Sequence, residues 1–153
     1  MSRREAPFKY RLEPLLKVDR WEGRVLGAEL GRARQLMDDC QRQHREVLAR
    51  VQSTEGEIRA LDRAGEGIPI ERRRVLAAYL QQQYALARER GEAAARALRL
   101  FEQILAQRQA NQQRVRALEH HEAREHARHD GEQVRAGLRD ADEQWLNTRG
   151  GRR

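Results

Sequence analysis

The feature that most constrains this chain is one short break, residues 63–70, between two long runs of helix-forming residues. Gly65 and Gly67 can adopt the left-handed backbone that ends a helix, and Pro69 suits the first turn of the next helix. No proline occurs between residues 15 and 61 or after residue 70. We therefore predict an all-α fold, a long antiparallel two-helix coiled-coil hairpin that forms a single domain.

The predicted segment boundaries follow from the prolines and glycines. Pro7 disfavours helix before it, whereas Pro14 suits the first turn of a helix that begins at Glu13. The predicted order is a lead-in over residues 1–12, helix 1 over 13–63, a turn over 64–69, helix 2 over 70–147 and a disordered tail over 148–153.

A seven-residue repeat runs through helix 1 and predicts a seam that faces helix 2. Its members recur at alternating spacings of three and four: Leu12, Leu16, Asp19, Gly23, Leu26, Leu30, Ala33, Met37, Cys40, His44, Val47, Val51, Thr54, Ile58 and Leu61. The repeat weakens at Asp19 and Gly23, where we expect helix 1 to bend or to part from its partner. Gly23, Gly27 and Gly31 lie four residues apart, which indicates either close packing or simple tolerance of glycine.

Helix 2 keeps the same rhythm as far as Leu118. The predicted seam positions are Leu76, Leu80, Gln83, Ala87, Arg90, Ala94, Ala97, Phe101, Ile104, Arg108, Asn111, Val115 and Leu118. Beyond Leu118 the register would place Glu122, Glu125 and His129 on the seam, and these are poor core residues.

The two helices are expected to differ in length, at roughly 75 Å and roughly 115 Å, because an α-helix rises 1.5 Å per residue. Helix 1 should therefore run out near residues 118–122 of helix 2, and we expect residues 119–132 to form a single exposed helix. A later apolar set needs another partner or packs on Phe8, Tyr10 or Trp21. This set, in a shifted phase, is Val134, Leu138, Ala141 and Trp145.

Composition favours a narrow seam over a thick core, since 36% of the residues are charged and only 5% are aromatic. The net charge is +7, and Lys9 and Lys17 are the only lysines. The arginine excess reflects either genome composition or selection for contacts to carboxylate or phosphate. Because acids lie close to most bases, we interpret the charges as a solvated face laced with ion pairs.

The N-terminus and the single cysteine predict a cellular location. Cys40 can form no internal disulfide, which fits a reducing compartment. No apolar run follows the charged N-terminus, and none is long enough to cross a membrane. We predict a cytoplasmic protein.

No constellation of residues predicts catalysis. His121, Glu125 and His129 share a helical face at a spacing that can hold a metal, but the zinc-peptidase pattern H-E-x-x-H is not met. We interpret that face as a solvated one, sensitive to pH near neutrality. Cys40 lies on the seam, where a buried hydrophobic role is more common than a nucleophilic one. We predict no catalytic residue, no cofactor and no metal, and therefore a protein that is not an enzyme.

The chain resembles the bacterial flagellar export protein family FliJ. The resemblance rests on the opening Phe8-Lys9-Tyr10-Arg11-Leu12-Glu13-Pro14-Leu15-Leu16-Lys17, on a long Glu/Leu/Ala/Arg helix after it, and on Gly67-Ile68 followed by Leu76, Tyr79 and Leu80. It covers nearly the whole chain. The injectisome stalk family of type III secretion is a close relative and a second possibility.

The resemblance implies a stalk-like coiled coil that enters the pore of the hexameric export ATPase. It also implies contact with the cytoplasmic part of the membrane export-gate protein and escort of export chaperones. The chain would then associate with the cytoplasmic face of the inner membrane only through its partners. A generic basic coiled-coil adaptor or nucleic-acid-associated protein is the alternative, although interleaved acids argue against specific nucleic-acid binding.

The resemblance also implies two sets of contact residues. Counted from Gly67-Ile68, the gate-contacting face comprises Tyr79, Gln83, Leu86 and Arg90. Gln83 and Arg90 also belong to the predicted seam, and we expect them at its edge. Alternatively, Tyr79 and Leu86 merely pack against helix 1. By analogy with rotary-ATPase stalks, the ATPase-contacting set is Arg11, Leu12, Leu15, Leu16, Arg135 and Arg139.

Overall fold

The fold is an antiparallel two-helix coiled-coil hairpin, as predicted. A computed structural model describes residues 7–65, Gly67 and residues 69–150. Helix α1 spans Glu13–Arg63 and helix α2 spans Ile70–Gly150, and the two helices pack against each other. Within the described ranges the chain contains no strand. The start and end of α1 and the start of α2 coincide with the predicted boundaries, whereas α2 continues three residues beyond the predicted residue 147.

Three predicted segments lie partly outside the described residues. They are the lead-in at residues 1–6, the turn at Glu66 and Ile68, and the tail at residues 151–153. The first three residues of the predicted tail, 148–150, belong to α2.

The helix ends between α1 and α2 are explained by local backbone chemistry. The amide of Ala64 donates to the carbonyl of Ala60 at 3.2 Å, and Gly65 then adopts φ +73°. A left-handed residue after the last turn is a common helix end, and glycine takes that conformation without a Cβ penalty. Pro69 precedes α2, and its carbonyl accepts a hydrogen bond from the amide of Arg73 at 3.0 Å.

The chain consists of two compact units, and the single domain stays a prediction. Unit 1 comprises Met1–Arg24 with Gln109–Arg153, and unit 2 comprises Val25–Arg108. Each unit contains a piece of both helices. No helix within the described ranges has an apolar stretch long enough to cross a membrane.

The core of unit 2 is the predicted seam. Every predicted seam position from Leu26 to Leu61 and from Leu76 to Arg108 is buried or half-buried. On α2 the buried apolar positions of unit 2 are the alanines Ala87, Ala94 and Ala97. Apolar burial of this kind is the main stabilising contribution in a two-helix coiled coil.

In unit 1 the seam continues through α1 with Leu16 only 2% exposed, facing a stretch of α2 that includes Asn111, Val115 and Leu118. The expectation that the helices part near Asp19 is wrong, because Asp19 is 6% and Asn111 is 1% exposed. A polar layer holds them together instead.

Candidate interaction surfaces

The polar layer of unit 1 is built around the side chain of Asn111. Its Nδ2 donates to the backbone carbonyl of Asp19 at 2.9 Å. Arg114 lies one helical turn later. Its Nη2 donates to Glu22 Oε2 at 2.7 Å, and its Nε lies 3.6 Å from Asp19 Oδ1. A buried asparagine in a coiled coil tolerates few alternative partners, so this layer specifies which residues of α1 and α2 face each other.

Gly23 makes room for Asn111. A Cβ built on Gly23 would lie 2.7 Å from Asn111 Oδ1, closer than real Cβ atoms come. In unit 2, a Cβ on Gly27 would make only ordinary contact with Arg108, at 3.8 Å from Cζ, and a Cβ on Gly31 would meet nothing within 4 Å. Close packing therefore explains Gly23, and tolerance explains Gly31. A glycine and an asparagine that both interrupt an apolar seam were the sequence signal for this pair, which we did not predict.

The lead-in packs on α2 through Tyr10, which is 7% exposed. The Tyr10 hydroxyl donates to the carbonyl of Leu118 at 3.0 Å and lies 3.1 Å from His121 Nδ1, from which it can accept a second hydrogen bond. Burial, and then the charges of Glu122 and Glu125, raise the pKa of the Tyr10 hydroxyl. The tyrosine is thus held as a neutral donor.

Phe8 extends this contact along α2. Its ring centroid lies 4.8 Å from that of His126 and 5.5 Å from that of His129. The prediction of a single exposed helix over residues 119–132 is therefore wrong for one of its faces. Glu122, Glu125 and His129, the positions that continue the seam register, are all half-buried, and so is the neighbouring His121. The lead-in covers this face where α1 has ended.

The same segment contains the histidines that were weighed as metal ligands. His121 Nε2 lies 3.9 Å from Glu125 Oε1, and Arg128 donates a hydrogen bond to that same carboxylate oxygen. The Arg128 hydrogen bond lowers the pKa of the Glu125 carboxyl. Among the residues described, no three His, Cys, Asp or Glu side chains are grouped so that they could hold a metal ion.

The four residues of the predicted gate-contacting face do not form one exposed patch. Tyr79 is 39% exposed, whereas Gln83 is 8% exposed and lies inside the seam. The expectation that Gln83 lies at the seam's edge is wrong, because its side chain is buried at a seam position, one turn before the buried Ala87. Leu86 is half-buried, and Arg90 is half-buried with Nη1 donating to Gln43 Oε1 at 2.9 Å. Only Tyr79 is exposed enough to be a principal partner contact.

The residues of the predicted ATPase-contacting set also differ in exposure. Leu16 is a core residue, and Leu12 is half-buried. Leu15 is 49% exposed, and Arg11, Arg135 and Arg139 are exposed as well. Arg139 Nε donates to the carbonyl of Arg135 at 3.3 Å. Leu16 is therefore unavailable to a partner without disruption of the core.

The late apolar set on α2 is exposed. Val134 and Leu138 are each 63% exposed, and Trp145 is 55% exposed. The prediction that Trp145 packs on an aromatic residue of the N-terminal part is wrong, because Arg149 lies over its ring instead, with Cζ 4.4 Å from the centroid. Val134 alone comes near such a residue, since it lines a cavity together with Phe8. The alternative, that this set needs another partner, stays a prediction.

Comparisons of the chain with protein-family models, with curated proteins and with solved structures give no match.

Proposed function

We propose that this protein is a non-enzymatic stalk and chaperone-escort component of the bacterial flagellar type III export apparatus. The observation that carries the proposal is the opening motif of residues 8–17, which resembles the FliJ family and leads directly into α1 of a two-helix hairpin. Its partners would be the hexameric export ATPase, the export-gate protein and export chaperones, and it would sit at the cytoplasmic face of the inner membrane through them.

The packing of the motif is compatible with this role. Phe8, Tyr10 and Leu16 are turned towards α2, so they order the N-terminal part of unit 1. Arg11 and Leu15 are exposed between them. A basic and apolar pair held by a rigid support suits recognition by a partner, because little side-chain and backbone entropy is lost on binding.

Stimulation of the cognate export ATPase tests the stalk role. We expect the protein to promote hexamer assembly and ATP hydrolysis, and Leu15→Glu to abolish that effect. Leu36→Glu is the matched control, since Leu36 is also on α1 and is 48% exposed, against 49% for Leu15. Absence of stimulation by the unaltered protein would refute the stalk role, and equal effects of the two variants would refute the assignment of Leu15.

Binding to the cytoplasmic part of the gate protein tests Tyr79. Exposed tyrosines are frequent hot spots of protein interfaces, and truncation of a hot spot costs about 2 kcal/mol or more. We expect Tyr79→Ala to weaken gate binding by more than about tenfold. Tyr84→Ala is the control, because Tyr84 lies five residues away, is 48% exposed and hydrogen-bonds to Glu55. Equal affinity of Tyr79→Ala and the unaltered protein would argue that Tyr79 is not a gate contact.

The alternatives differ in measurable ways. Stimulation by an injectisome ATPase in place of a flagellar one would assign the protein to the injectisome stalk family. The net charge of +7 favours a basic adaptor as the remaining possibility. That role predicts binding to duplex DNA that weakens steeply as salt is raised.

A further inference from the structure

The C-terminal part of α2 presents an apolar face that no described part of the chain covers. We name Val134, Leu138, Ala141 and Trp145 the C-terminal stripe. The four residues recur at spacings of four, three and four, so they share one helical face, and all are exposed. Such a face, with the heptad spacing of a coiled coil but without a second helix, indicates a helical partner.

Most of the C-terminal stripe lies away from the face that binds the lead-in. His129, which packs against Phe8, lies nine residues before Leu138. At about 100° per residue these two side chains point to opposite sides of α2, about 180° apart. Val134 is the exception, because it borders a cavity that Phe8 also lines. A partner can therefore dock on the stripe beyond Val134 without displacing the lead-in, and at Val134 it would lie beside Phe8.

We propose that the C-terminal stripe binds the same stripe of a second copy of this chain, with the two helices antiparallel. The spacing of four, three and four is unchanged when the order is reversed. Antiparallel pairing therefore places Val134 opposite Trp145 of the partner subunit and Leu138 opposite Ala141 of the partner subunit. Each layer joins a large side chain to a smaller one, which is the arrangement that fills the space between two helices.

The charges beside the C-terminal stripe also allow two copies of this chain to attract each other in this arrangement. Arg135 and Asp142 follow Val134 and Ala141 directly, on one flank of the stripe. In the antiparallel pair, Arg135 lies next to Asp142 of the partner subunit, and the two-fold symmetry repeats this ion pair. The other flank carries Gly137 and Gln144, which are uncharged. Flanking charges of this kind set partner choice and orientation in coiled coils.

A parallel pair lacks the match of large and small side chains. It would place Trp145 on Trp145 of the partner subunit and Ala141 on Ala141 of the partner subunit, so that one layer is crowded and another leaves a gap. Its flanks would bring Asp130 next to Arg135 of the partner subunit, so both arrangements form a pair of opposite charges. The packing of large against small side chains is therefore what favours the antiparallel register.

The dimer is expected to be weak and reversible. The interface has only four apolar layers, and we expect it to bury less than the roughly 1,200 Å² of a standard stable interface. The next flanking pair outwards would join Arg128 to Arg149 of the partner subunit, two like charges that stop the interface from extending. Self-association of this strength suits a protein that exchanges between copies and other partners.

Sedimentation equilibrium of the full chain tests the proposal. We expect a monomer–dimer equilibrium between about 10 µM and about 1 mM protein, the range of weak complexes. Leu138→Glu should leave the chain monomeric throughout. Leu146→Glu is the control, because Leu146 is 61% exposed and Leu138 63%, yet Leu146 lies off the C-terminal stripe. A monomer at every concentration, or a dimer that Leu138→Glu does not weaken, would overturn the proposal.

A charge exchange tests the antiparallel register independently. Arg135→Glu and Asp142→Arg should each weaken dimerisation by about tenfold at low salt, because each change turns two attractions into repulsions. The double variant restores both ion pairs with their signs reversed, and it should regain the affinity of the unaltered chain. A double variant as weak as the single ones would exclude this register. Since Arg135 and Asp142 are exposed, an unchanged circular dichroism spectrum verifies folding.

Discussion

At the scale of single residues, the most informative position is Asn111. It occupies a seam position where an apolar side chain would give more hydrophobic stabilisation, yet it is 1% exposed. Its amide donates to the carbonyl of Asp19, and its Oδ1 occupies the space that a side chain on Gly23 would fill. Asp19, Gly23 and Asn111 must therefore lie side by side. A shift of α1 along α2 would break the hydrogen bond of Asn111 and its fit against Gly23.

Substitution of Gly23 measures this complementarity. Gly23→Ala should destabilise the protein by about 1–3 kcal/mol, because the new methyl group overpacks a fully occupied site. Gly31→Ala should stabilise it by about 0.5–1 kcal/mol, since alanine is the better helix former and nothing lies near that Cβ. Urea denaturation followed by circular dichroism checks both. Stabilisation by Gly23→Ala would contradict the close contact.

Tyr10 makes a prediction about alkaline pH. Burial and the neighbouring carboxylates raise the pKa of its hydroxyl in the folded protein. A raised pKa means that the Tyr10 contribution to stability is complete below the ordinary tyrosine pKa of about 10 and is lost as the pH rises through the folded value. The absorbance of tyrosinate, taken as the difference between the unaltered protein and Tyr10→Phe, reports the ionisation of Tyr10. We expect the midpoint of this difference to lie above pH ~10. Titration at or below that value would contradict the buried, neutral hydroxyl.

At the scale of elements, the lead-in and the part of α2 after Leu118 form one structural piece. Helix α1 begins only at Glu13, so its first turns do not extend to the histidines of α2. Phe8 and Tyr10 cover that face with two aromatic rings, and the residue between them, Lys9, is exposed. Alternating aromatic residues in an extended segment therefore replace a further turn of helix.

Hydrogen exchange tests this pairing. The double variant Phe8→Ala, Tyr10→Ala should accelerate amide exchange in α2 between residues 118 and 133, because that stretch loses the two aromatic rings that cover it. Lys9→Ala should leave the exchange unchanged, since its side chain is exposed. Exchange in the unit 2 part of α2, residues 83–97, is an internal reference in both variants. Equal exchange after the two substitutions would contradict a stabilising role for the lead-in.

At the scale of the whole molecule, the structure makes the pairing of α1 with α2 an intramolecular event. Gly65 ends α1 and α2 begins at Ile70, so the two helices of a pair come from one chain. The exposed C-terminal stripe is, by contrast, the place where we propose that two chains meet. The two associations can be separated by their dependence on protein concentration.

Thermal unfolding distinguishes pairing of α1 with α2 within one chain from dimerisation through the C-terminal stripe. The melting temperature of the Leu138→Glu variant should not change between about 5 µM and about 500 µM protein, because intramolecular pairing is independent of concentration. A melting temperature that rises with concentration in this variant would mean that the helices of the seam come from different chains. The unaltered protein should show only a small rise, because the proposed dimer interface is small.

Much of the fold was predictable because its causes are local or repetitive. Each proline and glycine at a helix end acts on its own backbone, so the ends near Glu13, Arg63 and Ile70 could be located. The seam register followed from spacing alone, because a seven-residue repeat keeps one face towards the partner helix. Spacing also identified Glu122, Glu125 and His129 as the positions that continue the register, but their polar side chains led to the wrong prediction that this face is exposed.

The tertiary structure alone decided what depends on residues far apart in the chain. Tyr10 and His121, separated by 111 positions, meet only because the hairpin brings the lead-in beside α2. The burial of Gln83 and the fit of Asn111 against Gly23 depend on how closely two helices approach, and helical periodicity carries no measure of that distance. The sequence by itself therefore determined which faces pair, and the packing of side chains across them determined which residues remain free to bind a partner.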